Sequence, residues 1–228
     1  MNKKVNRLRV AIDGPAASGK NTLAKQIAKK YKLLHLDSGK LYRYFALQVY
    51  QSKDQKVNYT KLKQALKKLT LKKLKDKRLT TEPVTKIASV ISKKKRIRQM
   101  LKKVQHDLAY NPPKKFKGSI LDGRDIGTVI MPDAHVKVYL TASLNVRAIR
   151  RYKEYKKMGI KTTLGRVKSD IKKRDYEDTH RKISSLKPAK DAVLLDSSFY
   201  NTKAAFVEID EVIRNEIKRL NATKHKSL

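Results

Sequence analysis

The feature that most constrains this chain is the stretch LRVAIDGPAASGKNT at residues 8–22. Its apolar run at 8–12 predicts a buried parallel strand, and a helical pattern of apolar residues follows the stretch. The small residues between these elements let consecutive backbone N–H groups turn inward around a phosphate chain. The N-terminal dipole of the helix favours negative charge at the same place. The sequence therefore predicts a strand, a phosphate-binding loop and a helix.

The loop contains the groups that bind a nucleoside triphosphate. Its residues are Gly14, Pro15, Ala16, Ala17, Ser18, Gly19, Lys20, Asn21 and Thr22. Lys20 would bring a mobile positive charge to the terminal phosphates of ATP, and Thr22 a hydroxyl near Mg²⁺. In the general P-loop pattern a Ser or Thr follows the Lys directly, whereas here Asn21 intervenes. This shift resembles nucleoside monophosphate kinases more than motor ATPases or GTPases.

Composition limits the classes of protein to consider. The 228 residues, 39% of them hydrophobic, suffice for one α/β domain with a small insert. The chain has no cysteine, which excludes disulfides and thiolate metal sites and fits a reducing compartment. It has no apolar run of membrane-spanning length, and its basic start leads directly into the first strand, with no room for a signal peptide. We therefore expect a cytoplasmic protein without a membrane partner.

The net charge of +37 allows two interpretations. One is a nucleic-acid-binding protein with an electrostatic footprint. The other is a Lys-rich sequence whose charges cover solvated surfaces. The lysines are spread over the whole length and the chain has no Trp, which favours the second interpretation. We expect no specific nucleic-acid partner.

The alternation of strand and helix patterns predicts the fold class. Strands are predicted at 8–12, 32–37, 119–122, 136–140 and 192–196. Among the helices between them, one is predicted to have Ser38 as its N-cap and another Ser143; a closing helix is predicted over Thr202–Leu220. This order indicates an α/β, three-layer P-loop NTPase sandwich with a five-stranded parallel sheet.

Polar residues follow the second predicted strand in the segment LDSGKLYR. Tyr42 and Arg43 come in the first turns of the next helix, near the strand ends where open α/β sheets bind ligands. The planar fork of an Arg at this place suits a phosphate group. A surface Arg is the alternative.

A charged cluster follows the third predicted strand. Asp122 ends that strand, and Gly123, Arg124 and Asp125 come next. An acidic residue there resembles a Walker-B Asp, which helps to hold hydrated Mg²⁺. Thr22 and Asp122 are therefore the candidate metal-binding residues, acting through water. A turn Asp before Gly is the alternative, although a turn does not need the Arg and Asp that follow.

Basic residues recur on two later segments. The helix predicted to end at residue 158 carries Arg147, Arg150 and Arg151. A further helix predicted over Leu164–Arg174 leads into the charged run at 174–181, which lacks an apolar face. We predict that this run is a mobile lid, with Arg174 and Arg181 closing over the transferred phosphoryl group.

Together these motifs resemble bacterial cytidylate kinases, which are P-loop nucleoside monophosphate kinases. The resemblance covers nearly the whole chain and rests on IDGPAASGKNT, LDSGKLYR, IASVISKKKRIR, LDGRDIGTVIMPDA, KVYLTAS, IKKRDYEDTHR and AVLLDSS. In that family the γ-phosphoryl of ATP passes to CMP or dCMP with Mg²⁺. The resemblance thus implies a monomeric (d)CMP kinase of pyrimidine metabolism.

The resemblance also implies residue roles. ATP would be held by residues 14–22, and the sugar hydroxyls of CMP by Asp178. The CMP side would be bound by Ser38, Tyr42, Arg43, Arg124 and Arg181, the arginines chiefly contacting its phosphate. The cytosine would be recognised by Ser89, Arg98 and Asp125. Catalytic roles would fall to Lys20, Arg124, Arg150, Arg174 and Arg181, with Arg147 and Arg151 in the same charge-stabilising group. No general base is needed, because the acceptor phosphate is already a good nucleophile.

The expected organisation is a single P-loop kinase domain over residues 1–228. Its core would comprise 7–52, 116–143 and 190–220, with an NMP-binding insert at about 53–110 and a helical lid at about 159–188. Lys40, Thr80 and Glu177 depart from the residues common in the family, and the stretch before Ser89 is shorter. These departures bear on sugar preference and on affinity for the monophosphate.

Three alternatives remain at this point. The chain could phosphorylate another small acceptor, such as UMP, AMP or shikimate, because a few hydrogen bonds decide base selection. It could be a basic nucleic-acid-binding P-loop protein, which would have steeply salt-dependent binding. A degenerate P-loop scaffold is the weakest alternative, because the residues that carry the chemistry are present.

Overall fold

The computed structural model describes residues 7–199 and 202–225. A five-stranded sheet has the order β2-β3-β1-β4-β5 and is parallel throughout. Its strands are β1 (Leu8–Asp13), β2 (Leu34–Asp37), β3 (Gly118–Gly123), β4 (Val136–Thr141) and β5 (Val193–Asp196). The predicted fold class is confirmed. The basic segment at 1–6, on which the expectation of no signal peptide rests, lies outside the described residues.

Eight α-helices are found in the described ranges. They are α1 (Lys20–Tyr31), α2 (Ser38–Tyr50), α3 (Tyr59–Lys67), α4 (Glu82–Ile91), α5 (Lys95–Tyr110), α6 (Leu144–Lys157), α7 (Leu164–His180) and α8 (Thr202–His225). Two 3₁₀ turns, Lys73–Lys75 and Lys77–Thr80, follow α3, and a π-helical turn, Ile126–Ile130, follows β3. No helix of the described residues is long and apolar enough to cross a membrane.

The chain forms two compact units, one comprising residues up to Leu36 and from Asp107 onward, the other Asp37–His106. In the first, apolar side chains of β1, β3 and β4 pack with α1 and α8. The largest of them include Ile12, Leu23, Ile27, Ile120, Leu140, Ile209 and Ile213. The strands read as nearly continuous apolar runs because a parallel sheet is buried between helices.

In the second unit, α2 packs against α4, α3 and the two 3₁₀ turns. Its fully buried side chains include Leu41, Phe45, Leu62, Leu79, Ile91 and Ile97. Helix α3 buries only Leu62 and exposes its lysines to solvent. Helix α4 begins at Glu82 with Pro83 in its first turn, a position where proline is favoured.

The structure corrects three predicted helix boundaries. Asp37, not Ser38, caps α2, because its carboxylate one residue earlier accepts the Lys40 N–H (3.3 Å). Helix α7 does not end at Arg174 but continues to His180, because Asp175 and Asp178 pair with arginines. Helix α8 extends beyond the predicted Leu220 to His225.

Candidate active site

The loop after β1 has a backbone that only particular residues allow. Gly14 has φ 150°, and a Cβ there would lie 2.0 Å from the carbonyl oxygen of Leu140. Ala17 and Gly19 have φ 60° and 95°, in the left-handed region. Helix α1 begins at Lys20 with no side-chain cap and no acidic residue in its first turn. The N-terminus of α1 therefore suits an anionic ligand.

Lys20 is buried and folded over this loop. Its ammonium donates hydrogen bonds to the carbonyl oxygen of Pro15 (2.7 Å) and to Ser18 Oγ (3.3 Å). Burial, followed by the positive charge of Arg124, lowers the pKa of Lys20 well below its ordinary value. A phosphate at the loop would oppose that shift, because it stabilises the charged ammonium.

Two side chains hold the loop from neighbouring elements. Ser197 follows β5, and its hydroxyl contacts the carbonyl oxygens of Ser18 (3.2 Å) and Thr141 (2.9 Å). Arg150 of α6 donates to the Ser18 carbonyl (3.4 Å) and to Ser197 Oγ (3.0 Å) and its carbonyl (2.7 Å). Ser197 was not among the predicted site residues. Its position directly after a predicted strand was the signal available.

Arg147 connects the loop to α7. Its guanidinium donates to the carbonyl oxygens of Ala142 (2.7 Å) and Ala16 (3.3 Å) and pairs with Asp175. Beside it, Ala17 packs against an apolar cluster formed by α6 and α7. Arg151, by contrast, pairs with Glu154 (3.0 Å) on a partly exposed part of α6. Of the three α6 arginines, two contact the backbone of the loop.

Oxygen donors of the kind that Mg²⁺ prefers lie on β3 and α1. Asp122 is buried near the end of β3, where the sequence predicted it, and its Oδ1 lies 2.6 Å from Nε2 of His35. Thr22 lies in the first turn of α1. The described residues contain no group of three acidic or His side chains that could hold a metal. This donor set fits an ion held largely by phosphates and water.

Asp13, at the end of β1, has a structural role that its place in the sequence did not predict. Its two carboxylate oxygens accept the N–H groups of Ile126 (2.8 Å) and Gly127 (2.7 Å). Burial raises the pKa of Asp13 to about 6, and these two hydrogen bonds oppose the rise. Asp13 thereby fixes the turn that follows Arg124 and the buried Asp125.

Arg124 and three residues of the predicted lid form one ionic cluster. Asp178 pairs with Arg124 (2.8 Å) and with Arg181 (3.4 Å). Burial alone would raise the pKa of Asp178, but the charges of Arg124, Arg174 and Arg181 hold it below its ordinary value. The structure thus places three predicted arginines around the carboxylate of a fourth predicted site residue, Asp178.

The other predicted substrate residues lie in the unit formed by Asp37–His106. Arg98 contacts the Tyr42 ring (5.5 Å) and donates to the Ser92 carbonyl (3.2 Å), and Arg43 pairs with Asp37 (2.9 Å). Ser38 is buried in the first turn of α2, and Ser89 is half-buried on α4. Within this unit the structure joins Tyr42 to Arg98.

A phosphate-binding loop on the central strand of a 2-3-1-4-5 parallel sheet defines the molecule as a P-loop NTPase. A solved structure of an uncharacterized protein from Eubacterium ventriosum has a similar fold. Its TM-score is 0.51 at 13% sequence identity, over 91% of this chain and 98% of that chain. At this identity the similarity supports the fold alone.

The sequence comparisons are more specific. The model of the cytidylate kinase family matches residues 10–219. The cytidylate kinase of Rhodopseudomonas palustris is 40% identical over 92% of this chain and 99% of its own length. The cytidylate kinase of Bradyrhizobium diazoefficiens is 42% identical over 90% of this chain and 96% of its own length. The cytidylate kinase of Streptococcus mutans is 38% identical over 93% of this chain and 98% of its own length. The chain belongs to the cytidylate kinase family, which confirms the resemblance found in its motifs.

Proposed function

We propose that this chain transfers the γ-phosphoryl group of ATP to CMP or dCMP, giving ADP and CDP or dCDP. The observation that carries the proposal is the P-loop with Lys20 at its centre, in a chain that matches the cytidylate kinase family over residues 10–219. Nothing favours a different acceptor in place of CMP, or nucleic-acid binding in place of the kinase reaction.

Catalysis in this proposal consists of positioning and charge neutralisation. Two anions must be brought in line, water must be excluded, and the charge of the transferred group must be stabilised. Lys20 would serve the ATP phosphates, and Arg174 and Arg181 would close over the transferred group. The contacts of Arg147 and Arg150 with the carbonyl oxygens of Ala16 and Ser18 support an indirect role, in which they hold the loop in its binding conformation.

The acceptor phosphate would engage Arg124 and Arg181. Both arginines contact Asp178 in the structure, so an acceptor phosphate would compete with that carboxylate for them. Asp178 would then be available to the sugar hydroxyls, as the family resemblance implies. In the same way Ser38, Tyr42, Arg43, Ser89, Arg98 and Asp125 are proposed to bind CMP and to select its base.

Mg²⁺ is part of the proposal. Asp122 and Thr22 would hold it through water, and the ion would neutralise the charge that develops on the phosphates. A cytoplasmic location is supported by the absence of cysteine from the chain. The monomeric state stays a prediction from the family, which light scattering of the purified protein can check.

A coupled assay of ADP release tests the proposed reaction. Purified protein is given ATP and Mg²⁺ with CMP, dCMP, UMP or AMP. We expect fast turnover with CMP and dCMP, slow turnover with UMP and none with AMP. Preferred turnover of UMP or AMP would overturn the assignment of the acceptor, and no turnover with any of the four would overturn the kinase reaction.

The variant Lys20→Ala tests the role of the P-loop. It should lower kcat by about a hundredfold or more, because a preorganised charge at the transition state is worth several kcal/mol. Circular dichroism should show an unchanged fold. Lys25→Ala, an exposed substitution on the same helix, is the matched control and should keep wild-type activity. Near-normal activity of Lys20→Ala would contradict the assignment.

A further inference from the structure

The unit formed by Asp37–His106 is more strongly basic than the rest of the chain. It has 21 Lys and Arg against four acidic residues, a net charge of +17 from 70 residues, whereas the other 158 residues carry +20. Three of the four carboxylates pair with basic side chains of the same unit, Asp37 with Arg43, Asp76 with Arg78, and Glu82 with Lys86. The excess positive charge is therefore concentrated on this unit.

Part of that charge lines a groove of about 360 Å³, which we call the α3 groove. Its lining residues are Tyr59, Thr60, Lys63, Gln64, Lys67 and Arg96. Tyr59, Lys63 and Lys67 follow one another at intervals of four residues along one face of α3. The Arg96 guanidinium lies over the Tyr59 ring, 4.3 Å from its centroid. The groove thus combines an aromatic ring, a guanidinium plane and two exposed ammonium groups.

This combination matches the chemistry of a single-stranded polynucleotide. Aromatic rings and Arg planes stack on bases of any sequence, while Lys and Arg neutralise the successive phosphates of the backbone. The exposed side chains of α3 include no large apolar residue, since Leu62 is buried, so the groove has nothing to insert into a membrane. None of its lining residues has a role in the proposed phosphoryl transfer.

We propose that the α3 groove binds single-stranded nucleic acid without sequence specificity. Tyr59 and Arg96 stack on a base, and Lys63 and Lys67 contact adjacent phosphates. This function is separate from the kinase reaction and does not require a bound nucleotide. Binding of this kind would also give a function to the positive charge concentrated on Asp37–His106.

The first experiment measures binding of the full chain to a labelled 20-nucleotide oligouridine by fluorescence anisotropy, from 50 to 300 mM KCl. Lys63→Glu/Lys67→Glu should weaken binding about tenfold or more. The slope of the logarithm of the binding constant against the logarithm of the salt concentration should become shallower by about 1.4, because each lost phosphate contact on a single strand contributes about 0.7. The matched control, Lys153→Glu/Lys157→Glu, has the same spacing on an exposed part of α6. It should weaken binding less than threefold. Equal losses in the two variants would overturn the proposal in favour of binding by overall charge.

The second experiment tests stacking. Tyr59→Ala should weaken oligouridine binding roughly tenfold, because base–aromatic stacking is lost, whereas Tyr59→Phe should bind as the wild type does. Polyglutamate, a polyanion without bases, should compete poorly. Full displacement by polyglutamate, or an unchanged affinity of Tyr59→Ala, would show an acidic-polymer surface and overturn the proposal.

Two further measurements complete the test. Binding of oligodeoxyuridine of the same length shows whether the groove prefers RNA or single-stranded DNA, and groove-dependent binding of either one supports the proposal. Turnover of CMP by every groove variant should stay within twofold of the wild type. A parallel loss of turnover would show that the substitutions damage the fold, and Tyr59→Phe and Tyr59→Ala then remain as the comparison that decides, because they leave the charge unchanged.

Discussion

At the scale of single residues, the phosphate-binding loop depends on residues that the surrounding backbone does not allow to be replaced. Gly14 approaches the Leu140 carbonyl too closely for any Cβ. Asp13 is equally constrained, because both of its carboxylate oxygens accept backbone N–H groups inside the protein. A buried carboxylate is costly unless it is hydrogen-bonded, and here the two bonds connect β1 to the turn after β3.

The raised pKa of Asp13 predicts a pH dependence of stability. Its value of about 6, against an ordinary 3.8, means that the folded state binds a proton more tightly than the unfolded state between pH 4 and 6. Ionised Asp13 therefore costs stability as the pH rises through this window. The variant Asp13→Asn lacks this titrating group. Its free energy of unfolding should therefore increase relative to that of the wild type by up to about 3 kcal/mol as the pH rises from 4 to 7, since one pKa unit corresponds to about 1.4 kcal/mol.

Urea unfolding of both proteins at several pH values measures this difference, in which the other titrating groups cancel. Asp170→Asn, which replaces an exposed carboxylate on α7, is the control for the loss of one negative charge. A difference between Asp13→Asn and wild type that stays constant with pH would show that Asp13 does not titrate in this range.

At the scale of elements, α6 and α7 act as a support for the loop. Ala148, Val167 and Ile171 form a small apolar cluster that Ala17 joins, and the guanidinium of Arg147 connects Ala16 with Asp175. Charge pairing also explains why α7 extends to His180. The run at 174–180 has no apolar face, yet its Asp175 and Asp178 pair with arginines on α6, directly after β3 and directly after α7.

Removing Arg147 should therefore affect both stability and ATP binding. Arg147→Met should lower the free energy of unfolding by about 3 kcal/mol, because it leaves Asp175 without its partner in a largely buried position. The affinity for ATP should fall as the loop loosens. Thermal unfolding and calorimetric titration with ATP measure the two effects.

Two variants provide the comparison for Arg147→Met. Arg151→Met breaks only a partly exposed ion pair with Glu154 and should change stability by less than about 1 kcal/mol. Arg147→Met/Asp175→Asn should recover part of the lost stability, since it removes the unpaired charge. Strictly additive losses in the double variant would show that Arg147 and Asp175 are not coupled.

At the scale of the whole molecule, the net charge of +37 opposes folding. A compact chain brings like charges closer together than an unfolded one does, so their repulsion destabilises the folded state. Salt reduces this effect, because the Debye length falls from about 30 Å at 0.01 M to about 8 Å at 0.15 M. The stability of this protein should therefore depend strongly on ionic strength.

We expect Tm to rise by about 5 °C between 10 and 300 mM NaCl, since 1 kcal/mol corresponds to roughly 2–4 °C for a chain of this size. Differential scanning calorimetry without nucleotide measures the change. Replacing NaCl with KCl should give the same curve, because screening depends on ionic strength rather than on the identity of the cation. A flat or falling Tm would show that repulsion between the basic groups is negligible.

Local sequence determined the elements of this fold and the family of the chain. The apolar runs predicted all five strands, and the spacing of Gly14, Gly19 and Lys20 predicted the phosphate-binding loop, because strand burial and loop conformation depend on residues close together in the chain. The motifs also located Asp122 near the end of β3 and Arg124 directly after that strand. Boundaries were less accurate where two capping residues adjoin, as at Asp37 and Ser38.

Tertiary structure decided which distant residues act on the loop. The contact of Asp13 with the turn after β3, of Ser197 with Ser18, and of Arg147 with Ala16 joins residues separated by more than a hundred positions. No periodicity or local motif encodes such pairs, because they arise only when the strand order brings β1, β3, β4 and β5 side by side. The extension of α7 has the same origin, since the arginines that stabilise its charged end come largely from other elements.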